Sequence, residues 1–128
     1  IIYGATGFTG SLGAKYIEKY SDELNWAIAG RNTAKLTELQ SQLPSKPDII
    51  IADANDEAAL TNLTKSTKVV ASYAGPFNKY SNILVKACVV SATHYVDITG
   101  EAIWVRDLID NYHQECIEKK IKIIPACG

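Results

Sequence analysis

The chain has 128 residues, 47% of them apolar and 21% charged, and a formal net charge of -1. That is one domain's length of ordinary soluble composition. So near-neutral a chain lacks the clustered Lys and Arg of a nucleic-acid surface, no apolar run approaches the ~20 residues that span a bilayer, and no signal peptide opens it.

Apolar strand-like runs alternate with helical patterns. Residues 1–3 read as a first strand. From about 9 to 20, Leu12, Tyr16, Ile17 and Tyr20 share one helical face and predict a helix packed through it. Residues 26–29 read as a second strand. Asn32 or Thr33 can cap a second helix whose stripe is Leu36, Leu39 and Leu43, with Pro44 just past its end. Residues 48–52 predict a third strand, buried on both faces. A short helix is expected near 56–63, a fourth strand over 68–73, and a break at Gly75-Pro76. A helix over about 82–91 carries Ile83, Val85, Cys88 and Val89. Residues 95–98 read as a fifth strand ended by Gly100, residues 102–119 as a long polar helix, and residues 121–124 as a sixth strand. Strands alternating with helices predict an α/β fold: a Rossmann-type doubly wound parallel sheet of about six strands in the order 3-2-1-4-5-6, with helices on both faces.

The sharpest local feature is Gly4-Ala5-Thr6-Gly7-Phe8-Thr9-Gly10, which leaves one strand and opens one helix. A dinucleotide's pyrophosphate needs free backbone N–H groups at a helix start and no side chain in its way. Glycines at 4, 7 and 10 suit the tight turn, the close backbone approach and the helix–strand packing, and Thr6 and Thr9 add hydroxyl donors. A nucleotidase phosphate loop is excluded, because Ser11 follows Gly10 where that motif needs Lys.

The NAD form of this fold places an acid about 20 residues on, to hold the ribose 2′-OH. Here the second strand ends in Gly30-Arg31-Asn32, with no carboxylate. Arg31 offers a planar, always-charged fork to a 2′-phosphate, and Lys35, one turn on, a second positive charge. NADP(H) is therefore expected over NAD(H). Asp53, after the third strand, suits either the adenine amino group or the cap of the next helix. The turn Ala74-Gly75-Pro76 is expected beside the nicotinamide ribose, because ligands sit beyond the carboxyl ends of the strands.

No pattern fixes a catalytic residue. None of the seven tyrosines has Lys four residues later, and neither a G-x-S-x-G elbow nor paired His at metal-ligand spacing occurs. Asn78, Lys79, Tyr80, Thr99, Glu101 and Cys127 fall on the expected active edge. Tyr80 and Lys79 suit an acid or a substrate contact. Glu101 suits the dipole of the helix it opens, and Cys127 reads as a small buried hydrophobe. Cys88, Cys116 and Cys127 are odd in number and show no C-x-x-C spacing, which favours reduced thiols in an intracellular, cytoplasmic setting.

The stretches 2–10, 29–32, 74–77, 94–101 and 125–128 together resemble the N-terminal domain of saccharopine dehydrogenase-like oxidoreductases. The resemblance runs from end to end and implies that residues 1–128 form an NADP(H)-binding domain. It also implies a longer further part that supplies the site for a small-molecule or lipid-like substrate. The sequence opens inside an apolar run, has no Met and closes just after another apolar run, which fits a piece of a longer protein. The expected function is hydride transfer between NADP(H) and an organic substrate. The alternative is a non-catalytic NADP(H) sensor or scaffold. A homo-oligomer is compatible with either.

Overall fold

The computed structural model describes residues 1–20 and 23–128. Its sheet has six strands, all parallel, in the order β3-β2-β1-β4-β5-β6: β1 (Ile2–Tyr3), β2 (Ala27–Gly30), β3 (Asp48–Ile51), β4 (Val69–Ser72), β5 (His94–Asp97) and β6 (Ile123–Ile124). The chain runs outward from β1 to β3, then returns to the centre and runs outward again from β4. Ile2 therefore sits in register between Ile28 and Ala71, and a crevice opens beyond the carboxyl ends of β1 and β4.

Helices cover both faces. On one, α1 (Phe8–Tyr20) and α2 (Thr33–Ser41) pack around Ile2, Ala14, Ile28, Leu36, Leu39 and Leu43. On the other, α3 (Glu57–Lys65), α5 (Asn82–Val90) and α6 (Ala102–Lys119) enclose Leu60, Leu63, Val70, Leu84, Val85 and Tyr95. Burying each of the Val, Leu and Ile side chains among these contributes about 1.5–3 kcal/mol. Local chemistry fixes the helix ends. Asn32 Oδ1 accepts from Lys35 N at 3.0 Å and starts α2. Asp56 Oδ1 does the same for Ala59 N at 2.9 Å and starts α3. Left-handed Lys120, at φ 56°, ends α6.

Three sequence expectations need correction. Helix α1 does not pack through its large apolar residues: Leu12, Tyr16 and Tyr20 are exposed, and Ile17 is only half-buried. It packs through Gly10 and Ala14 instead. Small residues let the helix axis come so close to the sheet that a Cβ on Gly13 would lie 2.8 Å from the Tyr73 hydroxyl. Strand β3 is not buried on both faces. It is the sheet edge, with Asp48 and Ile51 exposed. Cys127 is exposed beyond the end of β6 rather than buried. The one-turn helix α4 (Phe77–Tyr80), between the Gly75-Pro76 turn and α5, had no apolar periodicity to announce it.

Candidate cofactor-binding site

The crevice holds a cleft of about 440 Å³, lined by Tyr3, Gly4, Thr6 and Gly7 of the first loop, Gly30 and Arg31 after β2, and Asp53, Ala54 and Asn55 after β3. Tyr73, Ala74, Gly75, Pro76 and Tyr80 close it on the β4 side. Each contributor lies at or beyond the carboxyl end of one of four adjacent strands, β3-β2-β1-β4, so the topology gathers them.

The glycine loop is tightly held. Gly4 has φ +75°, and its N–H and that of Ala5 donate to the Ala29 carbonyl at 2.9 and 3.2 Å. A Cβ at Gly4 would lie 2.9 Å from the Ala74 amide nitrogen, and one at Gly10 would collide with the Gly4 carbonyl oxygen. Gly7 N donates to that same carbonyl at 3.1 Å, closing the turn just before α1 begins. The first N–H groups of α1, at Phe8, Thr9 and Gly10, have no helical carbonyl to bond. The loop thus ends on a cluster of backbone donors at the positive end of a helix dipole, the arrangement that a pyrophosphate fits. The side chains divide differently: Gly4, Thr6 and Gly7 line the cleft, Phe8 and Thr9 are exposed outside it, and buried Gly10 lies beneath the loop.

Arg31 reaches the cleft, is itself exposed, and enters no ion pair among the described residues. Lys35 does not join it there. It lines a neighbouring hollow that shares only Thr6 with the cleft. Asn32 does not line the cleft either, since its side-chain oxygen caps α2. Asp53 lines the cleft but does not cap α3, a task that falls to Asp56. Its Oδ1 instead accepts from Asn55 N at 2.9 Å and Asn55 Nδ2 at 3.1 Å, a local turn that fixes the cleft floor. The Tyr3 hydroxyl donates to the Ala52 carbonyl at 3.3 Å. Burial pushes its pKa up to about 12, with the Asp53 carboxylate adding to the rise and Arg31 opposing it.

The active-edge residues also separate. Tyr80 reaches the cleft, and Lys79 places its Nζ 5.2 Å from the Tyr80 ring centroid. Glu101 does not cap its own helix. Its carboxylate crosses to α4 and accepts from Phe77 N at 2.7 Å and Asn78 N at 3.0 Å. Thr99 is buried, with Oγ1 accepting from Glu101 N at 3.1 Å. Sequence reasoning missed Tyr3, Ala54, Asn55 and Tyr73 as cleft residues; Tyr3 immediately precedes Gly4 and Tyr73 immediately precedes Ala74, the signals that could have found them.

Among the described residues no helix is long and apolar enough to cross a membrane, and no group of His, Cys, Asp or Glu is placed to hold a metal.

Comparison with known proteins follows the geometry. The family described as the saccharopine dehydrogenase NADP binding domain matches residues 1–124. A trans-acting enoyl reductase of Mycobacterium tuberculosis is 36% identical over 131 aligned positions, which take in 100% of this chain and 31% of that protein. The chain thus spans about a third of the length of the curated relatives it matches. Among solved structures, saccharopine dehydrogenase (L-Glu forming) from Saccharomyces cerevisiae superposes with a TM-score of 0.81 at 23% identity, covering 99% of this chain and 26% of that one. Leucoanthocyanidin reductase from Vitis vinifera, in binary complex with NADPH, gives 0.66 at 19% identity, covering 96% and 47%. These two show the same Rossmann-like fold, and with residues 1–124 matched, the chain belongs to the saccharopine dehydrogenase NADP-binding domain family.

Proposed function

We propose that this chain holds NADP(H) in the cleft between β1 and β4 and serves an oxidoreductase that reduces a carbon–carbon double bond conjugated to an acyl carbonyl. The observation that carries the cofactor assignment is Arg31, an exposed guanidinium without an ion-pair partner among the described residues, at the β2 end where a ribose-binding carboxylate would select NAD(H). The donor set fits the group. The glycine loop leaves room and backbone N–H groups for the pyrophosphate, and Gly4 and Gly10 stand where any Cβ would fill that room or displace the loop. The Ala74-Gly75-Pro76 turn and Tyr80 line the end of the cleft away from Arg31, where the nicotinamide is read to lie. The acyl-enoyl class is carried by the similarity to the mycobacterial trans-acting enoyl reductase.

Bound NADPH supplies the hydride. The chain's own contribution is to hold and orient the cofactor: the loop fixes the pyrophosphate, Arg31 the 2′-phosphate, and the Asp53–Asn55 turn the adenine side.

Calorimetric titration of NADP⁺ and NAD⁺ tests the cofactor assignment, with Arg31→Ala alongside. A charge-assisted bond of ~1.5–3 kcal/mol gives the wild type a roughly 10- to 150-fold preference for NADP⁺, and the substitution removes most of it. Equal affinity for the two dinucleotides in the wild type overturns the assignment.

A further inference from the structure

A second hollow, of about 280 Å³, lies against the cleft. Thr6 is the wall between them, the one residue that lines both. The far side is built by Ser11 and Lys15 of α1 and by Lys35 and Glu38 of α2. Ser11 and Lys15 are four residues apart and share a face of α1. Long helical side chains lean toward the amino end of their helix. That leaning carries Lys15 back toward Ser11 and the glycine loop. It carries Lys35, in the first turn of α2, toward the end of β2 where Arg31 stands.

Three cations from three elements thus line the two hollows that Thr6 joins: Arg31 the cleft, Lys15 and Lys35 the hollow beside it. All three are exposed, and none enters an ion pair among the described residues. Glu38 is the hollow's one carboxylate, so its two lysines keep a net positive charge. The Thr6 hydroxyl is one further donor in place; Ser11 Oγ already spends its proton on the Phe8 carbonyl at 2.8 Å.

We propose that this hollow seats the 2′-phosphate of NADP(H), and that Lys15 selects that cofactor together with Arg31 and Lys35. The inference rests on reading the cleft as a dinucleotide site. A phosphomonoester carries close to two negative charges and three acceptor oxygens. Arg31 can meet two of those oxygens with its planar fork. The third faces away from that fork, toward the hollow, where a cation on the far side of Thr6 can meet it. Lys15 supplies one from α1, an element that the usual rule of looking after the second strand does not inspect.

The test is calorimetric titration of NADP⁺ and NAD⁺ into the wild type, Lys15→Ala, Lys35→Ala and Lys19→Ala. Lys19, in the last turn of α1 with its Nζ 5.0 Å from the Tyr20 ring centroid, controls for the loss of one positive charge from that helix. Lys15→Ala is expected to weaken NADP⁺ roughly three- to tenfold and leave NAD⁺ unchanged, with the effect shrinking as salt rises. Lys19→Ala is expected to change neither. An equal loss for both dinucleotides would place Lys15 at the pyrophosphate and overturn the proposal. So would an unchanged NADP⁺ affinity, which leaves the cofactor assignment itself standing. If the wild type binds neither dinucleotide, the assignment fails and the proposal with it.

Discussion

The Glu101 carboxylate accepts the backbone N–H of Phe77 at 2.7 Å and, with its other oxygen, that of Asn78 at 3.0 Å. A residue placed after β5 thus caps α4, the short helix that follows the cleft turn on the β4 side. Pro76 opens that helix and has no side-chain acceptor to offer, so the cap comes from 24 residues away. Glu101→Ala is expected to cost about 1–3 kcal/mol in urea unfolding, the range for a lost cap that accepts as a charged group. It should also weaken NADP⁺ binding, because the turn 74–76 loses its downstream anchor. Glu101→Gln keeps one acceptor oxygen and should fall between Ala and wild type.

Gly10 supports the glycine loop from beneath. An added Cβ would collide with the Gly4 carbonyl oxygen and sit 3.0 Å from Ala5 Cα, both backbone atoms with no side-chain freedom to yield. Gly10→Ala therefore has to lift α1 from the loop. The expected cost is roughly 1–3 kcal/mol of stability, with NADP⁺ affinity reduced at least tenfold (on the order of 1.4 kcal/mol). Gly100→Ala is the contrast: an added Cβ there meets nothing within 4 Å, and stability should stay within about 0.5 kcal/mol of wild type. Circular dichroism melts and calorimetry on both variants read the difference.

What the sequence made legible was local or topological. The glycine loop, the cap at Asn32, the α2 stripe and the strand order all follow from short-range spacing or from strict strand–helix alternation. What it hid depended on how closely elements approach. The apolar spacing of Leu12, Tyr16 and Tyr20 is a proper helical stripe, yet small residues on the opposite side of α1 took the core. Hydrophobic period reports that a face exists, and residue size decides which face can come near a sheet. Ile49, Ile50 and Ile51 read as a doubly covered strand, although the strand order itself puts β3 at the edge. The partners of Glu101 and the separation of Lys35 from Arg31 are relations between distant segments, which spacing along the chain does not carry.

Buried acids set an alkaline limit on stability, and Tyr95 is pushed up by burial as Cys88 and Tyr3 are. Burial pushes the Cys88 thiol from 9.0 up to about 12. The Tyr3 hydroxyl rises from 10.0 to about 12, chiefly through burial. In both cases the folded state holds its proton more tightly than the unfolded chain does. The stabilisation is therefore complete below pH 9 and is lost as pH climbs from 9 through 12. Three units at Cys88 amount to roughly 4 kcal/mol over that span. Unfolding free energy measured against pH should fall steadily above 9. Cys88→Ala should remove most of the fall between 9 and 10, where the thiols titrate in the unfolded chain and the tyrosines do not yet; Cys116, raised chiefly by its partial burial, keeps the remainder. A fall that persists there unchanged would assign the loss to another group.

The proposed reduction of a conjugated double bond would consume a proton as well as a hydride, and three phenols line the cleft. Tyr3 spends its hydroxyl on the Ala52 carbonyl, and the Tyr73 hydroxyl lies against Gly13 of α1. Tyr80 lines the cleft beside the Gly75-Pro76 turn and makes no side-chain hydrogen bond among the described residues. Its O–H is free to face a substrate carbon, and water can restore the proton afterwards. In a full-length protein carrying this domain, Tyr80→Phe should leave NADP⁺ affinity within about twofold, because removing one hydroxyl without a partner leaves no buried group unsatisfied. Turnover of an enoyl thioester should drop by roughly 10²- to 10⁴-fold with KM little changed, the pattern of an interaction made only in the transition state. A turnover number that survives Tyr80→Phe would place the acid in the part of the protein beyond these residues. A shared loss of cofactor affinity would make Tyr80 a wall of the nicotinamide site instead.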